Sequence, residues 1–567
     1  MCGIFFTYSS GSELAPSTEL LHRLQCRGPD HVGKTSSKCS NGSLLFISSV
    51  LSLRGDRLIG QPLNDPHTGS VLCFNGEAWS LDDGNYIFGN DTEVVFDLLL
   101  QATASVDPLP LPEQQNQADE AVVNALSRIS GPYAFIYYDA RHRIVFYGRD
   151  PLGRRSLLSC RWRDGIMVSS VPCTASAGGD WTEVEANGIY AISSDSTESS
   201  EPLERHIAWS KKGDHPAALR LWKKPTLEDP IQVPMLALNH PAVDALLENL
   251  RHSLAVRIVQ LPPLYSNSNA STKLAILFSG GLDCTLIARI VHDLLPEDQD
   301  VDLLNVAFEN PRVLKAAGAT SSPTVTAFSQ CPDRVTGLKS YAELQRVCPG
   351  RRWRFVSIDI AYSEFTSHRP QIISLIHPRQ TEMDLSIACA LYFAARGSGS
   401  VSSSTSAGLI QYTTAARVFL SGLGADELFA GYTRHATAFT RQGHEGLAHE
   451  LELDYQRLGE RNLGRDDRVI SHWAREVRYP YLDEKFLRWA LSLPLWEKCG
   501  FGQSEIPPRS LNCEGHCVLE PSKKLLRLLL WKLGMRSAAA EKKRAIQFGA
   551  RSAKMEAGKT KGTQILS

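Results

Sequence analysis

The sequence predicts two consecutive domains, an α+β domain built on antiparallel strands and an α/β domain built on a parallel sheet. Short apolar runs bounded by turns fill residues 1–205, where Tyr133–Tyr138 and Ile144–Tyr147 flank a five-residue turn that is typical of a hairpin. Apolar runs in the second half alternate with helical patterns instead, as at Leu274–Phe278 and Leu303–Phe308. That alternation indicates parallel strands joined by crossover helices.

The domain boundaries follow from changes in composition along the chain. We expect the first domain at residues 1–205, a turn-rich linker at 206–235, the second domain at 236–552 and a basic tail at 553–567. A chain of 567 residues has room for two domains that each bury their own core.

Composition excludes several classes of function. The net charge of -1 gives no reason to expect a nucleic acid as partner. No apolar run reaches the roughly 18 residues that a membrane span needs, and the start lacks a secretory leader, so no membrane is expected. The 13 cysteines, an odd number spread over the chain, fit reduced thiols, and we expect a cytoplasmic protein. Assembly of the chain into a homo-oligomer stays an open alternative.

Cys2 is the strongest candidate for a catalytic residue. Removal of Met1 before so small a residue would leave a thiol and a free α-amine on one residue. The amine, with an ordinary pKa of about 8, can then take the proton of the thiol, whose ordinary pKa is about 8.5. The apolar run Gly3–Tyr8 predicts a buried strand that holds this terminus inside the fold. Such a nucleophile suits attack on a carboxamide.

Two short motifs downstream supply the other groups that amide hydrolysis needs. Asn75 and Gly76 end a predicted strand, where a side-chain amide and a backbone N–H can stabilise an oxyanion. Glu77 follows directly and can hold an ammonium group. Asp91 lies at a predicted helix start, where it can cap the helix and also receive an amine.

Together with Arg27–Asp30 and Arg149–Arg155, these motifs resemble class II glutamine amidotransferases over most of residues 1–190. The resemblance implies an N-terminal-nucleophile αββα sandwich, in which two stacked sheets lie between helices. It also implies that Cys2 attacks the side-chain amide of glutamine. The Asn–Gly pair would hold the oxyanion, and the two carboxylates would bind the α-amine of the substrate.

One residue expected from this resemblance is missing. The family places an arginine for the glutamine carboxylate eleven residues before a Gln-Pro pair, and at that spacing from Gln61-Pro62 the chain has Val50. Arg54 lies near and is the candidate substitute for binding glutamine. Loss of a charged contact costs about 1.5–3 kcal/mol, so glutamine binding is expected to be weak.

A second candidate site begins at the loop Ser279–Cys284, between an apolar strand and a helix. Its glycines allow the backbone to approach a phosphate closely, and a helix N-terminus attracts an anion. The loop resembles the SGGxDS pyrophosphate loop of ATP pyrophosphatases, with Cys284 in place of the last serine. A thiol is a weaker donor to phosphate than a hydroxyl.

Two later segments extend the resemblance over nearly the whole chain. Ser421–Tyr432 resembles the S-G-E-G-S-D-E…G-G-Y segment of asparagine synthetases, and Arg478–Asp483 resembles their R-x-P-F-L-D. The chain is therefore identified as a member of the asparagine synthetase family. The implied reaction uses ATP and Mg²⁺ to adenylate aspartate and releases pyrophosphate. Ammonia from glutamine, passing through an internal passage, then displaces AMP to give asparagine.

The resemblance also implies the ligands of this second site. Asp283 and Asp384 match the magnesium-binding carboxylates, which offer the hard oxygen ligands that Mg²⁺ prefers. ATP is expected to contact Leu277, Ser279, Gly280, Gly281, Asp283, Cys284, Val306, Ser421, Gly422 and Gly424.

Four positions depart from the family pattern in this second half. The glutamate expected three residues before Asp384 is Thr381, and two loop residues expected to be Glu and Ser are Leu423 and Ala425. The lysine that the family carries near its end falls at Ala545. A synthetase half with these replacements is expected to be slow.

Three interpretations of function therefore stay open. Cys2 and Asp283 favour a glutamine-dependent asparagine synthetase that acts in asparagine biosynthesis, whereas the departures favour a non-catalytic descendant that binds or scaffolds. A different carboxylate substrate is a third possibility. Lys543 or Arg544 could replace the lysine missing at the expected position only if the backbone shifts.

Overall fold

Three separate stretches of sequence make up the first of two compact units. In the computed structural model, unit 1 contains Met1–Arg220, Pro370–Gln380 and Leu458–Glu476, and the rest of the chain forms unit 2. The structure describes residues 2–10, 13–39, 42–82, 84–106, 113–162, 165–173, 180–193, 204–209, 235–258, 261, 272–313, 327–402, 408–503, 519–555 and 562–566. Most of the predicted linker at 206–235 lies outside these ranges.

The division differs from the contiguous boundaries expected from composition. Strand Glu204–Ala208 runs across the expected boundary at residue 205 and pairs with its neighbour in unit 1. The two late stretches, expected in the second domain, belong to unit 1. Side chains of Leu458–Glu476 pair with buried charges of the first stretch, as Asp467 does with Arg27, and composition does not reveal such a long-range relation.

Two six-stranded sheets form the centre of unit 1. Its strands are β1 Gly3–Ser9, β2 His31–Cys39, β3 Gly42–Val50, β4 Leu63–Asn64, β5 Val71–Gly76, β6 Ser80–Leu81, β7 Asn85–Tyr86, β8 Ile129–Ser130, β9 Tyr133–Asp139, β10 Ile144–Arg149, β11 Leu158–Trp162, β12 Gly165–Ser169, β13 Trp181–Glu183, β14 Gly188–Ser193 and β15 Glu204–Ala208. The sheets have the orders β13-β11-β12-β1-β3-β2 and β15-β14-β10-β9-β5-β4, and β7-β6-β8 form a small third sheet. The predicted hairpin is confirmed, since β9 and β10 pair antiparallel.

Apolar side chains from the two large sheets meet in one core. Ile4 and Phe6 of β1 and Phe46 of β3 come from the first sheet, and Cys73 of β5 and Ile136 of β9 come from the second, all fully buried. Alternation of inward side chains along each strand places them on the shared face. The first residues of β1 and the last of β5 are thereby held in a rigid setting.

Helices cover the outer faces of these sheets. Leu20 and Leu24 of helix Thr18–Arg27 pack into a second core cluster on the far face of the first sheet. Phe96 of helix Asp91–Ala104 packs edge-on against Tyr137 of β9. Unit 1 also contains helices Glu113–Ser127, Leu458–Arg461 and Leu463–Ser471.

A seven-stranded sheet lies at the centre of unit 2. Its strands are β16 Leu274–Leu277, β17 Val301–Phe308, β18 Trp353–Ile360, β19 Ser398–Ser402, β20 Leu409–Thr413, β21 Val418–Leu420 and β22 Glu476–Arg478, in the order β20-β19-β18-β17-β16-β21-β22. The predicted parallel pairing is confirmed for β16 with β17 and β21, and for β17 with β18. An antiparallel hairpin of β19 and β20 extends the sheet at one edge.

The carboxyl ends of parallel strands meet at one edge of a sheet, so the loops after β16 and β21 are brought together. Apart from the two late helices already placed in unit 1, the described helices after residue 236 are Pro241–Ile258, Leu282–Leu294, Pro332–Val347, Tyr362–Ile376, Glu382–Arg396, Ala425–Leu428, Thr433–Gln456, Glu484–Ser492, Leu495–Lys498, Lys524–Lys532, Arg536–Ala539 and Ile546–Gly549, with a 3₁₀ turn at Pro480–Leu482. Within the described ranges, none of the helices has the length and apolar character to cross a membrane.

Candidate active sites

Cys2 lies in the interior of unit 1, at the start of β1. Its backbone N–H donates to Asn75 Oδ1 at 3.0 Å, and only 9% of its surface is exposed. The next residue is held as firmly, because the Gly3 N–H donates to Ser49 Oγ at 3.0 Å. The β1 terminus and the end of β5 are thus joined directly by the candidate nucleophile and the candidate oxyanion group.

Asn75 offers its second polar atom to the same space. Its Nδ2 is buried and has no hydrogen-bond partner among the residues that the structure describes. An unpaired buried N–H donor is costly unless a ligand takes the hydrogen bond, and a developing oxyanion is such a ligand. Gly76 suits this crowded position because a Cβ there would lie 2.4 Å from the Pro132 carbonyl oxygen.

Several groups around Cys2 act on the pKa of its thiol. Burial raises the pKa of the Cys2 thiol, a hydrogen bond with the Leu51 backbone opposes this, and the Asp91 charge adds to the rise. Gln61, for which the sequence motifs predicted no role, lies beside the thiol, since Gln61 Nε2 is 3.8 Å from Cys2 Sγ. Gln61 Oε1 accepts from the Phe74 N–H at 2.7 Å, which fixes the amide.

Arg54, Glu77 and Asp91 form one buried charged cluster. Arg54 Nη1 is 3.6 Å from Glu77 Oε2 and 3.4 Å from Asp91 Oδ2. The two terminal nitrogens of Arg54 donate to the Ala78 carbonyl at 2.7 Å and the Ile87 carbonyl at 2.5 Å. Arg54 therefore neutralises two carboxylates and holds the loop between them, and a role for it in binding the glutamine carboxylate stays a prediction.

The expectation that Asp91 caps its helix was wrong. Asn90 is the N-cap, and its side chain accepts from the Glu93 N–H at 3.2 Å. Asp91 Oδ2 instead accepts from the Ala78 N–H at 2.7 Å, across the loop. Burial raises the pKa of Asp91, and the charge of Arg54 opposes this. This placement brings the Asp91 carboxylate to the border of the Cys2 site. The sequence could not show it, because Asn and Asp are equally good N-cap residues and either could have capped the helix.

In unit 2, the loop after β16 has the tight backbone that a phosphate requires. Gly280 has φ of +78°, and a Cβ there would lie 2.5 Å from Gly337 Cα, so only glycine fits. Ser279 Oγ accepts from the Gly281 N–H at 3.3 Å. The Cys284 thiol donates to the Gly281 carbonyl at 3.4 Å, which directs it into the loop.

The loop after β21 lies directly against the first one. A Cβ at Gly422 would meet the Cβ of Asp283 at 2.8 Å, so the second loop can approach only because it has no side chain there. Gly424 has φ of +102° and is the N-cap of the short helix Ala425–Leu428. Ser421 Oγ accepts from the Leu423 N–H at 3.3 Å and closes the turn.

Two lysines and two aspartates meet where these loops join. Lys523 Nζ lies 2.6 Å from Asp283 Oδ2 and 2.6 Å from Asp426 Oδ1, and Lys543 Nζ also pairs with Asp426. Burial acts to raise the pKa of Asp426, but the two ammonium groups hold it well below the usual range. Burial raises the pKa of Asp283, with Lys523 opposing.

The lysines correct the sequence analysis. The expected position of the family lysine, Ala545, is the N-cap of helix Ile546–Gly549, whereas Lys543 reaches Asp426 and lies 4.4 Å from the centroid of the Tyr432 ring. Lys523 had not been considered. The sequence carries no signal for it, because its contact with Asp283 joins residues 240 positions apart.

The remaining predicted residues lie on β16, on β17 and at the start of helix Glu382–Arg396. Leu277 ends β16 opposite Leu304 of β17, and Val306 follows two residues later on the same strand. Asp384 lies in the first turn of helix Glu382–Arg396, where Thr381 Oγ1 donates to Asp384 Oδ2 at 2.6 Å and accepts from the Asp384 N–H at 3.2 Å. Thr381 thus serves as the helix cap.

The donor set of Asp283 fits a hard cation. Asp283 Oδ1 is buried with no hydrogen-bond partner among the described residues, so one carboxylate oxygen is left for a ligand. A carboxylate oxygen of this kind suits Mg²⁺ with substrate phosphates and water as its other ligands. In the described ranges no group of three or more His, Cys, Asp or Glu side chains could hold a metal ion by itself.

Known proteins resemble this chain over most of its length. A family model for asparagine synthase matches residues 437–511. Asparagine synthetase domain-containing protein 1 of Bos taurus is 33% identical, covering 99% of this chain and 97% of the relative. A glutamine-hydrolyzing asparagine synthetase of Saccharomyces cerevisiae is 23% identical, covering 88% of this chain and 77% of the relative. The structure of glutamine phosphoribosylpyrophosphate amidotransferase from B. subtilis aligns with 63% of this chain and 81% of its own, at 16% identity and a TM-score of 0.27.

Proposed function

The chain belongs to the family of asparagine synthetase domain-containing proteins, and we propose that it is a glutamine-dependent ligase of the asparagine synthetase class. Cys2 releases ammonia from glutamine, and the ammonia converts an ATP-activated aspartate into asparagine, AMP and pyrophosphate. The substrates are small molecules, and the proposed location is the cytoplasm.

The observation that carries this proposal is the pairing of Cys2 with Asn75. The thiolate adds to the side-chain carbonyl carbon of glutamine, and the oxygen that becomes negative is stabilised by Asn75 Nδ2, which is buried without a partner among the described residues. The Asn75 Oδ1 acceptor meanwhile holds the Cys2 nitrogen at 3.0 Å. The α-amine of a processed Cys2 takes the thiol proton and returns it to the leaving ammonia, after which water releases glutamate.

The cluster in unit 2 supports the second step. An aspartate carboxylate oxygen attacks the α-phosphorus of ATP and pyrophosphate leaves; ammonia then attacks the acyl carbon and AMP leaves. The Ser279–Asp283 loop would bind the pyrophosphate end, and Lys523 and Lys543 would face the negative charge that develops there. Asp283 and Asp384 are the proposed holders of Mg²⁺, which, when bound, supplies positive charge to the phosphate oxygens.

Two assays on purified protein test the proposal. Glutamate release from glutamine should be present in wild type and vanish in Cys2→Ala, because the thiol of the residue whose backbone N–H is bound to Asn75 is removed. AMP and pyrophosphate should form from ATP only with aspartate present, and Cys2→Ala should keep this activity when ammonium replaces glutamine. Glutamate release that persists in Cys2→Ala would refute the assignment of the nucleophile.

A binding or scaffolding protein is the second candidate. One observation favours it: the family glutamate is replaced by Thr381, whose side chain is used to cap helix Glu382–Arg396. Under this alternative, calorimetry should detect ATP binding although no AMP forms with aspartate. AMP formation that depends on another carboxylate would instead point to a different substrate of the same reaction.

A further inference from the structure

A guanidinium group that is wholly removed from solvent holds the backbone of the candidate nucleophile. Arg27 is fully buried at the end of helix Thr18–Arg27, and its Nε donates to the Cys2 carbonyl oxygen at 3.1 Å. Two other nitrogens of Arg27 donate elsewhere, one to Asp467 Oδ2 at 2.8 Å and one to Ser471 Oγ. Both acceptors lie on helix Leu463–Ser471, far along the sequence but within the same compact unit.

Asp467 is as deeply buried as Arg27. Neither side chain of the pair has any exposed surface. Asp467 Oδ2 also accepts from the Ser156 N–H at 3.2 Å, and its Oδ1 is 3.9 Å from Arg155 Nη1. Arg155 in turn lies 3.4 Å from Glu476. The chain of contacts therefore runs from Cys2 through one arginine to Asp467, and beyond it to a second arginine and a second carboxylate.

Such a pair is costly to bury and more costly to break. Two desolvated ions are stabilised only by each other and by their hydrogen bonds, so loss of one leaves the other uncompensated. The negative charge of Asp467 is thus what allows a cation to stay beside the Cys2 carbonyl. Since that carbonyl belongs to the nucleophile itself, its position fixes the direction of the thiol and of the amine.

We propose that Asp467 is a positioning residue for glutamine hydrolysis, and that it acts through Arg27 on the backbone of Cys2. The inference rests on the proposed function of Cys2 and adds a requirement to it. Helix Leu463–Ser471, which the chain supplies long after the first sheets, completes the site without touching the substrate.

The isosteric change Asp467→Asn removes the charge and keeps the shape. We expect kcat for glutamate release to fall about tenfold or more, with KM changed less than about threefold, because the nucleophile is misplaced while the glutamine contacts stay. The rate of Cys2 alkylation by iodoacetamide, read by peptide mass spectrometry, should fall by at least about threefold. This second readout needs no glutamine, since it follows proton transfer from thiol to amine.

The double change Arg27→Met with Asp467→Leu separates positioning from stability. Replacing both buried ions with apolar groups is often neutral for stability, and Arg155 keeps Glu476 as its partner, so this variant should unfold near the wild-type temperature and still lose kcat. Asp82→Asn is the matched control, because it breaks an exposed ion pair of 2.7 Å with Arg128 in the same unit. It should leave both readouts unchanged.

The outcomes divide cleanly. Wild-type kcat in the double variant, a change in KM alone, or an equal loss in Asp82→Asn would each overturn the positioning role. If wild type releases no glutamate, the proposed function fails, and the alkylation rates still decide whether Asp467 positions Cys2. Loss of kcat at constant KM in both Asp467 variants supports the proposal.

Discussion

Asn75→Asp tests the oxyanion role with the smallest change of shape. The carboxylate keeps an oxygen where Asn75 Oδ1 accepts from the Cys2 N–H at 3.0 Å. It places a second oxygen where Nδ2 now offers an N–H that no described residue takes up. The variant therefore keeps the bond that holds the nucleophile and loses the donor that the transition state needs.

The size of the effect follows from the loss of one donor. Removing a single oxyanion donor costs about 2.7–4 kcal/mol of transition-state stabilisation, or about 100- to 1,000-fold in kcat. The added negative charge, beside a Cys2 whose pKa burial and Asp91 already raise, pushes the result toward the larger value. KM for glutamine should change little, because the ground-state amide oxygen depends less on this donor.

The assay is glutamate release under initial-rate conditions, with Asn90→Asp as the matched control. Asn90 caps helix Asp91–Ala104 in the same unit, and Asp is as good a cap, so this variant should keep wild-type kcat. A fall in kcat smaller than about tenfold in Asn75→Asp would refute the reasoning. An equal fall in KM and kcat in Asn90→Asp would also refute it.

Three further predictions concern unit 2. Asp283→Asn should weaken Mg-ATP binding in calorimetry, because one cation ligand is lost; unchanged affinity would make the loop purely structural. Thr381→Glu should raise AMP formation with aspartate at a cost of about 1 kcal/mol in stability, since the cap is lost, and no gain over a fast wild type would contradict the importance of this departure. Burial raises the pKa of Asp333 to about 7, so the folded protein binds a proton that the unfolded chain releases above its ordinary pKa of about 4. The free energy of unfolding should fall as the pH rises from about 4 to about 7, and Asp333→Asn should flatten that profile in urea titrations.

Apolar runs and turns in the sequence predicted the strands and hairpins that depend on neighbouring residues. The hairpin of β9 and β10 and the parallel strands β16 and β17 follow from apolar runs and turns, and the structure contains them. The contact between Cys2 and Asn75 could also be predicted, because each residue lies at one end of a predicted strand.

Contacts between segments far apart in the sequence could not be predicted. The pairs Arg27–Asp467 and Lys523–Asp283 join residues hundreds of positions apart, and a charged residue in a sequence gives no sign of whether it will be buried. The helix cap expected of Asp91 was wrong for a related reason. Its side chain points across the loop to Ala78, whereas its neighbour Asn90 takes the cap.

The interrupted composition of unit 1 has a consequence for synthesis of the chain on the ribosome. Its first stretch ends at Arg220, but the partner of the buried Arg27 arrives only with Leu458–Glu476. At about 5–20 residues per second, the roughly 240 residues between them take about 12 to 50 s to be made. During that interval the nascent first stretch holds an uncompensated cation, so unit 1 should mature late, and a chaperone would have time to act on it.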